Sequence, residues 1–255
     1  MGASSLGYAC CERLLTKGAN IVKIFTVPKE FNIVYKKGDL KTVKNVNYAD
    51  FDELGKKYGI PVIEVSTKLS DYEDLYLSLA PDFALAIGWY HMIPSSFLEV
   101  TPRGVAGIHG SLLPKYRGNA PLVWAMINGE EETGVSLFYF EKEVDSGDLI
   151  AQKKIPIVET DTISDLLEKA KLASVEILDE NYPLLIANQI TAVPQNHSEA
   201  TEFPARSPKD GEIDWSWERR RIRDFIRAQT RPYPGAFTII NGKKVTIWDA
   251  DVENV

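Results

Sequence analysis

Asp82-Phe83-Ala84-Leu85-Ala86-Ile87-Gly88, followed further on by Gly104-Val105-Ala106-Gly107-Ile108-His109-Gly110, decides the fold. Each run is almost wholly apolar and ends at a glycine. A strand with one wet face would alternate polar and apolar residues. These do not, so both read as strands of a parallel sheet covered on both faces. Working outward, residues 21–27 form another apolar strand and residues 51–58 a helix. Residues 59–65 form a short strand, and residues 71–79 a helix with Leu75 and Leu79 on one face. Strands that alternate with helices predict a doubly wound α/β domain.

The chain opens on Met1-Gly2-Ala3-Ser4-Ser5-Leu6-Gly7, a strand-to-helix turn, with a helix over residues 6–17. A glycine-rich turn of this kind opens nucleotide-binding folds, but the strand before it is missing. The expectation is therefore a Rossmann-like sheet without its first strand, with a gap beside residues 21–27. Residues 29–47, polar and basic and containing Gly38, read as a surface loop.

Downstream, residues 135–140 and 148–157 read as an antiparallel pair around Asp145. Residues 162–188 read as a long amphipathic helix capped by Asp161 or Thr162. The character then changes. Residues 194–208 are turn-rich, and residues 213–248 read as a small mixed α+β module with a hairpin turn at Asn241-Gly242. This divides the chain into residues 1–194, a Rossmann-like catalytic domain, and 195–255, a small substrate or dimerisation module.

The 255 residues suffice for a sizeable core, and a net charge of −7 argues against bulk nucleic-acid affinity. No apolar run spans a bilayer and no secretory leader is visible. The two cysteines, Cys10 and Cys11, are adjacent and unsuited to pairing, which points to a reducing cytoplasm. The three histidines, His91, His109 and His197, are too scattered for metal-ligand spacing.

His109 stands at the carboxyl end of a parallel strand, where open α/β sheets place their ligands. It is followed by Ser111-Leu112-Leu113-Pro114 and Arg117-Gly118-Asn119, then by Val144-Asp145-Ser146-Gly147-Asp148. This constellation resembles the catalytic core of the 10-formyltetrahydrofolate-dependent formyltransferases, a family that includes tRNA and sugar enzymes. The resemblance covers nearly the whole chain and implies formyl transfer to a primary amine without a metal. It implies that His109 and Asp145 are catalytic, with the carboxylate orienting the imidazole.

The same resemblance places the folate at Gly88, Trp89, Tyr90, Met92, Ile93 and Pro94, with a facing wall of Phe140, Glu141 and Val144. Asp148 is a further candidate there. It assigns Ser111, Leu112, Leu113, Lys115, Arg117, Gly118 and Asn119 to the acceptor substrate. The C-terminal stretch from Arg206 to Trp215 and that from Arg227 to Phe237 resemble the tRNA and sugar enzymes alike. A short ending favours the sugar N-formyltransferases of glycan or lipopolysaccharide synthesis. The expected substrate is an amino sugar linked to dTDP, UDP or GDP, and the expected assembly a homodimer. The alternatives are a methionyl-tRNA formyltransferase lacking its tail and a non-catalytic folate- or nucleotide-sugar-binding homologue.

One position departs from the pattern. The family carries an asparagine two residues before the histidine, and here that residue is Gly107. Glycine cannot supply an amide donor to the oxyanion of a tetrahedral intermediate. Loss of one such donor typically costs about 10²–10³ in rate. A water can enter the vacated volume, as a poorly fixed donor; on an otherwise competent scaffold Gly107→Asn regains a rate of that size, and a variant that stays inert while binding its ligands favours the binding homologue.

Overall fold

The computed structural model describes residues 1–34 and 40–251. They fall into two compact units, neither continuous in sequence. The first comprises Met1–His109, Leu137–Ala151 and Ser174–Pro194; the second comprises Gly110–Ser136, Gln152–Ala173 and the chain from Gln195 on.

In the first unit the elements are α1 (Ser5–Thr16), β1 (Ile24–Thr26), β2 (Glu30–Val34), β3 (Leu40–Lys44), α2 (Phe51–Tyr58), β4 (Val62–Glu64), α3 (Glu73–Leu79), β5 (Ala84–Ile87), α4 (Ser95–Val100) and β6 (Val105–His109). The chain continues through β7 (Arg117–Gly118), α5 (Pro121–Ile127), β8 (Glu132–Tyr139), β9 (Leu149–Pro156), α6 (Ile163–Ile186), β10 (Glu202–Phe203), α7 (Arg219–Arg227), β11 (Ala236–Ile240) and β12 (Lys243–Ile247). Strands β8 and β9 and helix α6 each pass through both units. A four-stranded sheet runs in the order β5-β6-β8-β9, and β5 pairs parallel to β6 with Ala86 opposite Gly107. A second parallel pair joins β1 to β4.

Met1 to Ala3 stitch the two parallel pairs together. Gly2 donates to the Phe25 carbonyl at 2.9 Å and bridges Ile87 in parallel, while Ile87 donates to the Met1 carbonyl at 3.0 Å. Ser4 then caps α1, its hydroxyl accepting from the Gly7 amide. Beyond this stitch lies a cavity of about 520 Å³, walled by residues 20–25 on one side and 83–85 on the other. Residues 21–23 border it and form no strand, so β1 is shorter than the apolar run.

Two apolar clusters fix the helices of this unit. Phe25, Val65, Leu69, Tyr76 and Phe97 form one, with the Tyr76 and Phe97 rings stacked at 3.8 Å; Ile24, Phe51 and Leu54 form the other. Helix α2 starts on an Asp50 cap and ends on Gly59 in the left-handed region, φ 68°. Residues 30–34 and 40–44 correct the loop reading: they pair as an antiparallel ribbon. Polar residues and lysines interspersed among its apolar positions hide the strand signal. Gly38 lies outside the described residues.

Asp179 of α6 pairs with Arg13 at 2.6 Å and Lys17 at 3.0 Å of α1. The hydrogen bond from Arg13, foremost, holds this carboxyl below the usual carboxylate range. Its contribution is present above the ordinary carboxylate pKa of about 4 and disappears as pH falls below it. The pair is partly exposed, so Asp179→Asn should cost under about 1 kcal/mol at neutral pH. Urea titrations of the two proteins should converge at acid pH. Equal loss at both pH values would contradict the assignment.

In the second unit, Asn241 (φ 51°) and Gly242 (φ 72°) turn the chain between β11 and β12, as the Asn-Gly signal predicts. At the start of α6 the Asp165 carboxylate accepts from both the amide and the hydroxyl of Thr162. Asp161 instead accepts from the Val158 amide and pairs with Lys169.

Candidate active site

Strand β6 carries His109 to the end of the sheet, and the loop between β8 and β9 brings Asp145 to it. His109 Nδ1 lies 3.5 Å from Asp145 Oδ2, and both side chains are about nine-tenths buried, 10% and 12% exposed. Asp145 takes a positive φ of 51°, a conformation that Asp tolerates better than most residues and that collects at functional sites. The loop is pinned around it. Ser146 donates to the Glu143 carbonyl at 3.0 Å, and Tyr139 donates to the Asp148 carbonyl at 3.0 Å. The Phe138 ring stands edge-on to His109 at 6.5 Å and beside Phe140 at 5.0 Å. An imidazole so held by a carboxylate can donate to a developing oxyanion and shuttle a proton.

The volume at Gly107 is not open. A Cβ there would run into the Phe140 ring, with Cζ at 2.8 Å, and would lie 2.5 Å from the Ala86 carbonyl oxygen. This corrects the expectation of a vacated, water-filled space. An asparagine at 107 would require both the ring and a sheet carbonyl to shift. Sequence shows that the asparagine is absent; only the fold shows what replaces it.

The expected folate loop turns at Gly88, φ 59°. Trp89 packs into the core beside Phe25 and Phe97, and His91 lies between the Trp89 and Phe31 rings at 5.5 and 5.9 Å. Tyr90 donates to Asn45 Oδ1 at 3.0 Å. Trp89 Nε1 and His91 Nε2 are both buried without a hydrogen-bond partner among the described residues. Burial lowers the His91 pKa, favouring the neutral ring. Met92 (68% exposed) and Val144 (51%) present apolar side chains to solvent. Ile93 and Pro94 are half-buried, Glu141 is exposed, and Asp148 is half-buried. Two orphaned polar atoms in this loop, and exposed apolar side chains at both Met92 and Val144, suit a flat, partly apolar ligand with polar edges.

The Ser111–Asn119 loop belongs to the second unit. Its turn is locked from within: Ser111 donates to the Lys115 carbonyl at 2.6 Å, and Ser136 donates to the Ser111 carbonyl at 2.6 Å. The Leu113 amide donates to Ser136 Oγ at 3.0 Å, and Gln152 donates to the Leu113 carbonyl at 2.8 Å. Leu112 is half-buried. Arg117, 6% exposed, turns inward and donates to Gln195 Oε1 at 2.6 Å and to His197 Nδ1 at 3.1 Å. It clasps the loop to the chain after Gln195. Gly118 (φ 93°) sits against the Phe203 carbonyl, leaving no room for a side chain. Of the polar side chains expected to meet a substrate here, Lys115 and Asn119 are exposed. Ser136, Gln152, Gln195 and His197 were not anticipated; as isolated polar residues they carry no sequence signal. No group of three or more His, Cys, Asp or Glu suited to a metal ion occurs among the described residues, and no helix there is long and apolar enough to cross a membrane.

The chain matches the formyl transferase family over residues 8–181 and the formyl transferase C-terminal domain over residues 206–255. It is 33% identical over 253 residues to a methionyl-tRNA formyltransferase of Alkaliphilus oremlandii (strain OhILAs), covering 99% of this chain and 79% of the relative. Among solved structures it resembles a sugar N-formyltransferase from Shewanella sp. FDAARGOS_354, with TM-score 0.73 and 16% identity over 98% of this chain and 95% of that one. It also resembles WlaRD, a sugar 3N-formyl transferase solved in the presence of dTDP and 5-N-formyl-THF, with TM-score 0.69 and 19% identity over 96% and 82%.

Proposed function

The chain belongs to the formyl transferase family, and we propose that it moves a formyl group from 10-formyltetrahydrofolate to the amine of a nucleotide-linked amino sugar. One-carbon group transfer is the family's chemistry. The single observation that carries the reading to these residues is the buried His109–Asp145 pair at the end of β6.

The folate, when bound, supplies the formyl carbon. The loop with the orphaned Trp89 and His91 nitrogens, Met92, and the Val144 segment would hold it. The chain's own residues do the rest. Asp145, facing Nδ1, favours a proton on that nitrogen and fixes the ring, which leaves Nε2 for the reacting atoms. His109 then serves the carbonyl oxygen as it gains charge, and the incoming amine as it loses a proton. The buried surroundings exclude water and strengthen each of these contacts. In the second unit Lys115 and Asn119 are exposed on a loop that Arg117 braces.

The sugar is favoured over tRNA by the charge of −7, which is adverse to a polyanion. The tRNA reading is the second one, supported by the 33% identity to the Alkaliphilus protein. We further propose residues 1–194 as the part that carries the chemistry and 195–255 as a substrate or dimerisation module. A break between the two family matches, at 181 to 206, supports that division.

Melting the protein with dTDP, UDP and GDP tests the substrate class. A nucleotide present at about 100 times its Kd should add about 2.7 kcal/mol. For a chain of this size that is roughly 5–10 °C. One of the three should do so and name the base. No shift with any of them, together with tight, steeply salt-dependent binding of tRNA, would transfer the assignment to tRNA.

A further inference from the structure

Gly107 and Phe140 occupy one volume. The Phe140 ring lies over Gly107, close enough that any Cβ at 107 would meet ring carbon Cζ at 2.8 Å. The ring cannot drift freely. Its backbone amide donates to the Val105 carbonyl at 2.7 Å, and its other flank packs on Phe138 at 5.0 Å. Phe138 in turn stands against His109 at 6.5 Å, so aromatic surface runs from Gly107 to the catalytic imidazole. A phenyl edge offers C–H groups where a hydrogen-bond donor would serve a developing oxyanion far better.

Resting on the formyl-transfer reading, we propose that Phe140 is the residue that sets the character of the reaction cavity. It fills the space beside His109, makes that wall apolar, and obliges position 107 to be glycine. The activity of the site is therefore limited by Phe140 as much as by the missing side chain at 107. Replacing Gly107 alone does not restore a donor, because the ring and the Ala86 carbonyl both stand in the way.

Two measurements on the full chain test this. The first is chemical rescue. Phe140→Ala opens a pocket that free acetamide, an amide group without a backbone, can enter. Formyl transfer by Phe140→Ala should rise saturably with acetamide, in kcat, by up to roughly 10²-fold, and the wild type should not respond. The His109 ring signals in NMR should shift with acetamide in the variant alone. The second is a thermal cycle in the absence of ligands. Gly107→Ala should lower the melting midpoint of the wild type clearly more than that of Phe140→Ala, since only the first retains the ring clash. Equal drops in both backgrounds would overturn the pairing, and silent His109 signals would overturn the placement beside His109. If these two results appear but no variant transfers formyl, the cavity assignment stands and the formyl-transfer reading of this site falls.

Discussion

His109→Ala should lower formyl transfer roughly 10³-fold, within the range of about 10²–10⁴ that positioned acid–base groups contribute, and leave the fold intact. The loss should lie in kcat, because the ring meets charge that exists only in the transition state. The side chain is 10% exposed, and its ring meets the core only edge-on, at 6.5 Å from Phe138. Near-ultraviolet circular dichroism and the melting midpoint should therefore stay close to wild type. Asp145→Asn should cost about 10²-fold, the scale of a misplaced rather than an absent group. Unchanged turnover in a folded His109→Ala protein would remove this residue from the mechanism.

Gly147→Ala should damage both stability and catalysis. A Cβ at 147 would collide with the Tyr139 carbonyl oxygen and lie 2.9 Å from the Tyr139 carbonyl carbon and 3.1 Å from Glu141 Cγ. The Glu141 side chain can swing aside. The Tyr139 backbone cannot, because its amide is bonded to the Asp148 carbonyl at 3.0 Å across the same turn. The turn must open, at about 1–3 kcal/mol for an overpacked site. Asp145, two residues away, then moves off Nδ1 of His109, and a displacement near 1 Å can cost about 10²-fold. Urea unfolding and kcat measured on the same preparation should fall together. A Gly147→Ala protein with normal stability and a halved rate would show that the turn is more pliant than its contacts indicate.

How much of this was legible in the sequence depends on the range of each interaction. The runs ending at Gly88 and His109 announce buried parallel strands because burial on both faces leaves an apolar record. The Asn241-Gly242 turn is legible for a local reason, the left-handed conformation at both residues. His109 and Asp145 were found through their motif, and the fold brings them together. Phe140 was read as a folate wall and not as the occupant of the Gly107 volume; no local pattern ties a strand-end phenylalanine to a glycine on another strand. The Arg117 clasp stayed hidden likewise, since Gln195 and His197 lie in a turn-rich segment with no periodicity. The ribbon of residues 30–34 and 40–44 was missed because lysines and other polar residues interrupt its apolar positions, and the cluster that buries Phe31 with Ala3 and Val27 is assembled only by the fold.

The stitch at Met1 to Ala3 has a consequence for how motion travels. The ladder between the β1–β4 pair and the β5–β6 pair passes through those residues, and Gly2 there has no room for a side chain, with Phe51 Cζ at 2.8 Å from a notional Cβ. Phe25 of β1 and Ala84 of β5 share one apolar cluster as well, and a close-packed interior passes strain on, so a displacement at Gly2 reaches both pairs at once.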